Sequence, residues 1–486
     1  MAELQVRDLG DPEAAAACPG TTPAGTDPVA VQHAVVNQIS AIPYFKLLVA
    51  GFSYLCAGVN DGTLGPLIPH IIDTFHIGTG EVAIIYASTF AGWLLAAATG
   101  PLLTAHLTLG QLLAAGAALQ LLAQCLRPWG GGGLFPLYCV TFFVQSLGMA
   151  YQDSHANTFV SGLPNVPHRW LGFIHACYAL GCLVGPLIAT GLATSANQPS
   201  GSTDTTGVEG WRRVYFILIA IGVVNMAGVV VAFKDSLWGD NRPQQQHQHQ
   251  QKTKAAFQDL TTLFRSRALW LLSLFYFFNL GALLTAGGWV VEFLTTRTTP
   301  DSNQAGLGYV PTGLYGGLLL GRLLLAEPTF RLGERRMLLA YTAACAALQL
   351  VFWLQPSLVA SAVALSFIGF FSGPVFATGM SVASKLFPKK SQPAGLGEFT
   401  KDMSMSRVPA HPLLIMLPTQ TTKPRFIFVL AQAGGAIFPS LTGLVATNAS
   451  AGVAVLQPIV LALFVASAGC WYMVPRVLVV VSPHQE

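Results

Sequence analysis

The sequence predicts an all-α membrane protein, with twelve transmembrane helices arranged as two pseudo-symmetric six-helix bundles. Three observations carry that expectation. Hydrophobic residues make up 52% of the 486 positions and charged residues only 9%, a balance far too poor in charge for a soluble globular chain of this length. Apolar stretches of the ~20 residues needed to cross a bilayer recur along the chain. Short patterns of the first half also return in the second.

The spans fall near 44–68, 81–104, 109–127, 134–161, 170–194, 212–233, 268–294, 309–326, 335–354, 357–386, 427–447 and 453–475. An even number of crossings puts both termini on one side. With that side cytosolic, all but four of the 25 Lys and Arg residues lie in cytosolic segments or at cytosolic helix ends; Arg127, Arg212, Arg213 and Arg297 are the exceptions. Positive charge collects on the cytosolic side of membrane proteins, so the bias supports both the helix map and the orientation. The expected location is the plasma membrane or an internal membrane.

Around the spans, residues 1–43 are rich in Ala, Pro, Thr and Gly and lack the basic start and apolar core of a signal peptide, which reads as a disordered cytosolic tail. A bundle over 44–233 is followed by a polar cytosolic linker, 234–267, whose Gln/His tract at Gln244–Gln251 reads as solvated low complexity. The second bundle covers 268–475, and 476–486 form a second cytosolic tail. Residues 398–427 do not fit the repeat: they carry four prolines and a run, Leu413–Leu417, too short to span a bilayer. They read as an insertion, either a retained intron or an unstructured loop. The eight cysteines have no metal-site spacing and lie mostly in apolar segments, as small buried hydrophobes do.

The internal repeat is clearest between the fifth and eleventh spans. Gly181-Cys-Leu-Val-Gly-Pro186 answers Gly434-Gly-Ala-Ile-Phe-Pro439, with glycine and proline five residues apart in each. The turns after the second and eighth spans echo one another as Leu109-Gly110-Gln111 and Leu332-Gly333-Glu334. Repetition between two halves is a feature of secondary transporters, whose substrate site lies between the repeats near mid-membrane.

Two acids lie deep in apolar segments, Asp61 in the first span and Asp153 in the fourth. A carboxylate in hydrocarbon is costly, so such residues face a protein interior or an aqueous path. Both are expected to couple protons. In the fourth span Gln145, Met149, Asp153 and Asn157 recur every fourth residue and share one face. With Asn60, Gln152, His175 and Tyr178 they form an expected substrate surface, to which the second half adds Asn279, Trp289 and Gln432. No acid stands in the seventh span where Asp61 stands in the first, so coupling is expected of the first half. Arg322 and Glu327, with Glu334 and Arg335, are expected to act as a latch on the inner gate.

The two-half pattern over roughly 44–475, with Gly321-Arg322 and Arg331-Leu-Gly333-Glu-Arg-Arg336, resembles the major facilitator superfamily. The counterpart after the second span, Gly100 to Gly110, lacks that family's usual Asp and Arg. Asn60-Asp61 and Asp153-x-x-x-Asn157 are similar to the fucose–proton symporter group, and this resemblance implies that the matching acids carry proton coupling and sugar recognition. Asp61-Gly-Thr-Leu-Gly-Pro-Leu-Ile-Pro69, Tyr151-Gln-Asp-Ser-His155 and His168-Arg-Trp-Leu-Gly-Phe-Ile-His-Ala176 look like fungal transporters of the bypass-of-stop-codon type.

The leading expectation is a secondary active transporter moving a small polar solute, a sugar among the candidates, by alternating access with proton symport. Proton-antiport efflux of drugs or metabolites, and a non-transporting sensor or scaffold, stay open as alternatives. No Walker loop, dinucleotide fingerprint, zinc motif or nucleophile elbow occurs, so no enzyme, cofactor, metal or nucleic-acid partner is expected. The expected partners are the solute, protons and the bilayer, with the chain a monomer.

Overall fold

The computed structural model describes residues 43–129, 134–163, 167–195, 210–238, 266–297, 304–386 and 422–475. The tails, residues 239–265 of the expected linker and residues 398–421 of the expected insertion lie outside them. Residues 422–427, placed in the insertion from sequence, are the opening turns of a helix, Thr422–Asn448.

Every regular element described is helical. The long helices are α1 (Tyr44–Phe75), α2 (Thr79–His106), α3 (Leu109–Leu126), α4 (Phe135–Ser161), α5 (Pro167–Ser195), α6 (Val214–Ala232), α7 (Arg267–Arg297), α8 (Val310–Leu324), α9 (Glu334–Leu354), α10 (Leu358–Ser372, continuing past Gly373-Pro374 as Val375–Leu386), α11 (Thr422–Asn448) and α12 (Leu456–Met473). Among the described residues nine helices are long and apolar enough to cross a membrane, and a tenth span is the pair Gly306–Leu324 and Ala326–Leu332, bent by 53°. The remaining long helices, α1 and α4, have 32 and 27 residues. These are the helices that carry Asp61 and Asp153, and their lower apolarity is that of helices built to face a polar interior.

Glycine explains the pairing. α1 lies against α5 so closely that a Cβ at Gly62 would stand 2.6 Å from the Cys182 carbonyl oxygen, and one at Gly185 would stand 2.7 Å from that of Val59. In the second half Gly434 of α11 meets the Phe277 carbonyl of α7, as Gly181 of α5 meets that of Leu55 in α1. Small residues let helix backbones approach in this way, so the Gly-to-Pro repeat is a repeat of helix contacts.

The odd-numbered helices begin at one face of the molecule, called here the linker face because α6 ends and α7 begins there. At the opposite face the two halves meet through backbone. Thr79 Oγ1 donates to the Gly443 carbonyl at 3.2 Å, and Ser440 Oγ donates to that of Ala83 at 3.1 Å. The largest core cluster crosses both halves, with Leu67 and Tyr86 from the first and Leu314 and Trp289 from the second.

The turn between α2 and α3, which lacks the charges of a conventional lock, is held by caps. Thr108 and Gln111 form a reciprocal capping box at the start of α3. Thr108 Oγ1 also donates to the Ser236 carbonyl, and Gly110 N donates to Ser236 Oγ at 3.0 Å. The matching turn before α9 uses Gly333 at φ 102°, a backbone setting that favours glycine.

Two of the four arginines that broke the charge bias are not surface residues. Arg127 is 1% exposed and Arg212 2%; Arg212 lies 5.3 Å from the Phe75 ring centre and 5.2 Å from that of Trp211. Both side chains are taken into the protein interior. The seven described cysteines are free thiols.

Candidate functional site

Between the two halves lies a cavity of about 190 Å³. Its walls follow from the helix pairing. The close α1–α5 contact turns Asp61 and Tyr178 toward each other, and Tyr178 donates to Asp61 Oδ2 at 2.8 Å. Asn60 Nδ2 donates to Oδ1 at 3.2 Å. Asp153 enters from α4, and α1 is tied to it by Tyr54, whose hydroxyl donates to the Asp153 carbonyl at 3.1 Å. Asp61 and Asp153 therefore line one cavity, together with Asn60, Gln145, Met149, His175 and Tyr178 of the same half.

The second half contributes Asn279, Gln432, Tyr315 and Arg322 to the wall. Asn279 Nδ2 is buried without a hydrogen-bond partner. An unpaired buried donor is costly.

Behind the first-half wall the amides form a ladder. Gln124 Nε2 donates to Asn60 Oδ1 at 3.0 Å and to Gln145 Oε1 at 3.1 Å; Gln145 donates to Gln120 and Gln120 to Gln152, which also accepts from Asn225. Gln152, expected at the substrate surface, is 1% exposed and serves this ladder rather than the cavity. Buried polar networks of this kind are tolerated where their members are satisfied.

Two other expected contacts are placed elsewhere. Trp289 is fully buried and spends its indole N–H on the Pro439 carbonyl at 2.9 Å, so it ties α7 to α11. Asn157 shares the Asp153 face of α4 but lies one turn beyond the cavity lining. The four latch residues are not brought together. Arg322 NH1 reaches across the halves to the His175 carbonyl at 2.5 Å. Glu327 pairs with exposed Arg331, Glu334 accepts from Ser381 at 2.7 Å, and Arg335 donates to the Tyr472 carbonyl at 2.9 Å. Arg322 bridges the halves, while Glu327 lies beyond the 53° bend that follows Leu324.

Toward the linker face the cavity is lined by a cluster of rings. Phe376 of α10 lies 5.4 Å from His175, 5.5 Å from Tyr276 and 6.4 Å from Phe428, and Phe428 lies 5.7 Å from Trp93. Periodicity could not distinguish these aromatics from ordinary helix packing.

The Major Facilitator Superfamily model matches residues 50–400. The chain belongs to this superfamily. It is 25% identical over 384 residues to Bypass of stop codon protein 6 of Saccharomyces cerevisiae, covering 73% of this chain and 74% of that protein. It is 23% identical over 414 residues to a glucose/galactose transporter of Brucella abortus, covering 83% and 88%. Among solved structures, the E. coli fucose:proton symporter superposes with TM-score 0.61 at 17% identity, covering 90% of this chain and 100% of that one. A D-xylose–proton symporter superposes with TM-score 0.62 at 12% identity, covering 89% and 98%. The superfamily fold expected from the repeat and the carboxylates is thus the fold observed. This superfamily member is a multi-pass membrane transporter, not an enzyme.

Proposed function

We propose that the chain carries a monosaccharide-sized polar solute by alternating access, driven by proton symport. The observation that carries this reading is the placement of two carboxylates, Asp61 and Asp153, in one cavity between the halves. A cavity of about 190 Å³ is smaller than the ~300–1,000 Å³ pockets that take drug-sized ligands, which favours a hexose over efflux substrates. Amide and carboxylate groups on both walls suit paired hydroxyls, and sugar transport is named for relatives in bacteria and mouse. Both termini are assigned to the cytosol by the charge bias, which makes the linker face cytosolic, and the protein is read as a single-chain carrier.

Protonation removes a buried charge from the cavity and lowers the cost of reorienting it. Reconstituted protein is expected to accumulate a hexose above equilibrium when the outside is acidified, and a protonophore is expected to abolish that accumulation. Uptake across a hexose panel that never exceeds equilibrium would refute symport. Asn279→Ala removes the unpaired amide, and the expected result is a KM for the accepted hexose raised by about tenfold, the effect of one lost ~1.4 kcal/mol contact, read from initial uptake rates.

A further inference from the structure

The two carboxylates of the cavity are held in opposite ways. Asp61 has both oxygens engaged, one by Asn60 Nδ2 at 3.2 Å and the other by the Tyr178 hydroxyl at 2.8 Å. Directly behind Asn60 stands Arg127, 1% exposed. Its NH1 donates to Asn60 Oδ1 at 3.0 Å, its Nε donates to Thr141 Oγ1 at 3.0 Å, and its guanidinium lies 3.9 Å from the Phe142 ring centre. Its second terminal nitrogen, NH2, has no hydrogen-bond partner. Arginine stays protonated in proteins, and a buried cation without an anion is strongly destabilising. The carboxylate it reaches is Asp61, through Asn60, which accepts from Arg127 and donates to Asp61 Oδ1.

Asp153 lacks such support. It is 8% exposed, and its carboxylate oxygens have no hydrogen-bond partner among the described residues. The nearby Tyr54 hydroxyl goes to its backbone carbonyl instead. The charged and titratable groups on the cavity wall are Asp61, Tyr54, Tyr86, His175, Tyr178, Tyr276, Tyr315 and Arg322, and Arg322 spends NH1 on the His175 carbonyl. An ionised carboxylate with no donor at this depth is unfavourable, whereas the neutral acid is tolerated.

We infer that Asp61 is the permanent anion of a buried Asp61–Asn60–Arg127 unit, and that Asp153 is the acid that exchanges the proton. This deepens, and rests on, the proton-coupled reading. Arg127 touches no solute; it is a positioning residue that fixes the charge and orientation of Asp61 through Asn60.

The test uses the full chain in proteoliposomes as wild type, R127Q, D61N, R127Q/D61N, R127K and D153N. Acid-driven hexose accumulation, hexose counterflow at several pH values and thermal unfolding are measured. R127Q and D61N are each expected to lower the unfolding midpoint and to reduce counterflow by about tenfold or more. R127Q/D61N removes both charges together and is expected to regain most of both losses, and R127K to lose less than R127Q. D153N is expected to unfold near the wild-type midpoint, to exchange hexose more slowly with a flat pH profile, and to lose accumulation above equilibrium. The inference falls if D61N alone keeps its fold and counterflow while losing pH dependence, or if the double variant does no better than the single ones. A wild type that never accumulates hexose on acidification refutes symport itself, while rescue in thermal unfolding still decides the Asp61–Arg127 unit.

Discussion

Leucine at Gly62 is expected to abolish folded protein. The first atom of any side chain there would stand 2.6 Å from the Cys182 carbonyl oxygen and 3.0 Å from Pro186 Cδ. Neither is the free end of a flexible side chain. Ordinary overpacking of a core costs ~1–3 kcal/mol because neighbours rotate aside; here α1 and α5 would have to separate along their length. Separation would also break the Tyr178–Asp61 hydrogen bond of 2.8 Å and uncover the small-residue seam at Gly58 and Gly181. Gly62→Ala, a smaller insult, is expected to leave a reduced yield with wild-type substrate preference. The measurement is the monodisperse fraction in size-exclusion chromatography of detergent-solubilised protein. A wild-type yield of G62L with normal uptake would show that the α1–α5 approach does not set the fold.

The parts of this architecture that could be read from sequence are those with a one-dimensional signature. Long apolar runs give the helices, and Asp61 and Asp153 stand out because a charge inside such a run has few innocent explanations. The Gly-to-Pro repeat is legible because close helix contacts need small residues at fixed spacing. What sequence conceals is where a long side chain ends. Arg127 follows the third span, where an arginine is expected at the interface, yet its guanidinium folds back to Asn60 and Thr141. Trp289 lies at the depth of a substrate site, but an indole there serves equally to donate to a carbonyl of a neighbouring helix, which is what it does at Pro439. Glu327 looks like the partner of Arg322 until the 53° bend beyond Leu324 turns it outward to Arg331.

Alanine at Phe376 is expected to open the cavity toward the linker face. At the opposite face the halves are joined by hydroxyl-to-carbonyl bonds at Thr79 and Ser440, which a side-chain truncation elsewhere leaves intact. Toward the linker face Phe376 is the ring common to the contacts with His175, Tyr276 and Phe428. Of these three pairs only Phe376–His175 joins the two halves, and an aromatic pair contributes ~0.5–1.5 kcal/mol beyond burial, so its removal shifts the closed-to-open balance by roughly two- to tenfold. The Arg322 bond to the His175 carbonyl opposes that shift, and the effect should grow in F376A/R322Q. Labelling reads it out: with the native cysteines replaced, a cysteine at the cavity-lining position Thr89 should react with a membrane-impermeant maleimide roughly two- to tenfold faster in F376A than in the parent. Acceleration should appear only when the reagent is on the linker side. Acidification should then drive less accumulation, because a carrier that rests open to one side rarely presents its site to the other. Equal labelling rates with and without Phe376 would mean that the rings merely line the cavity, and that Arg322 alone holds the halves together at this end.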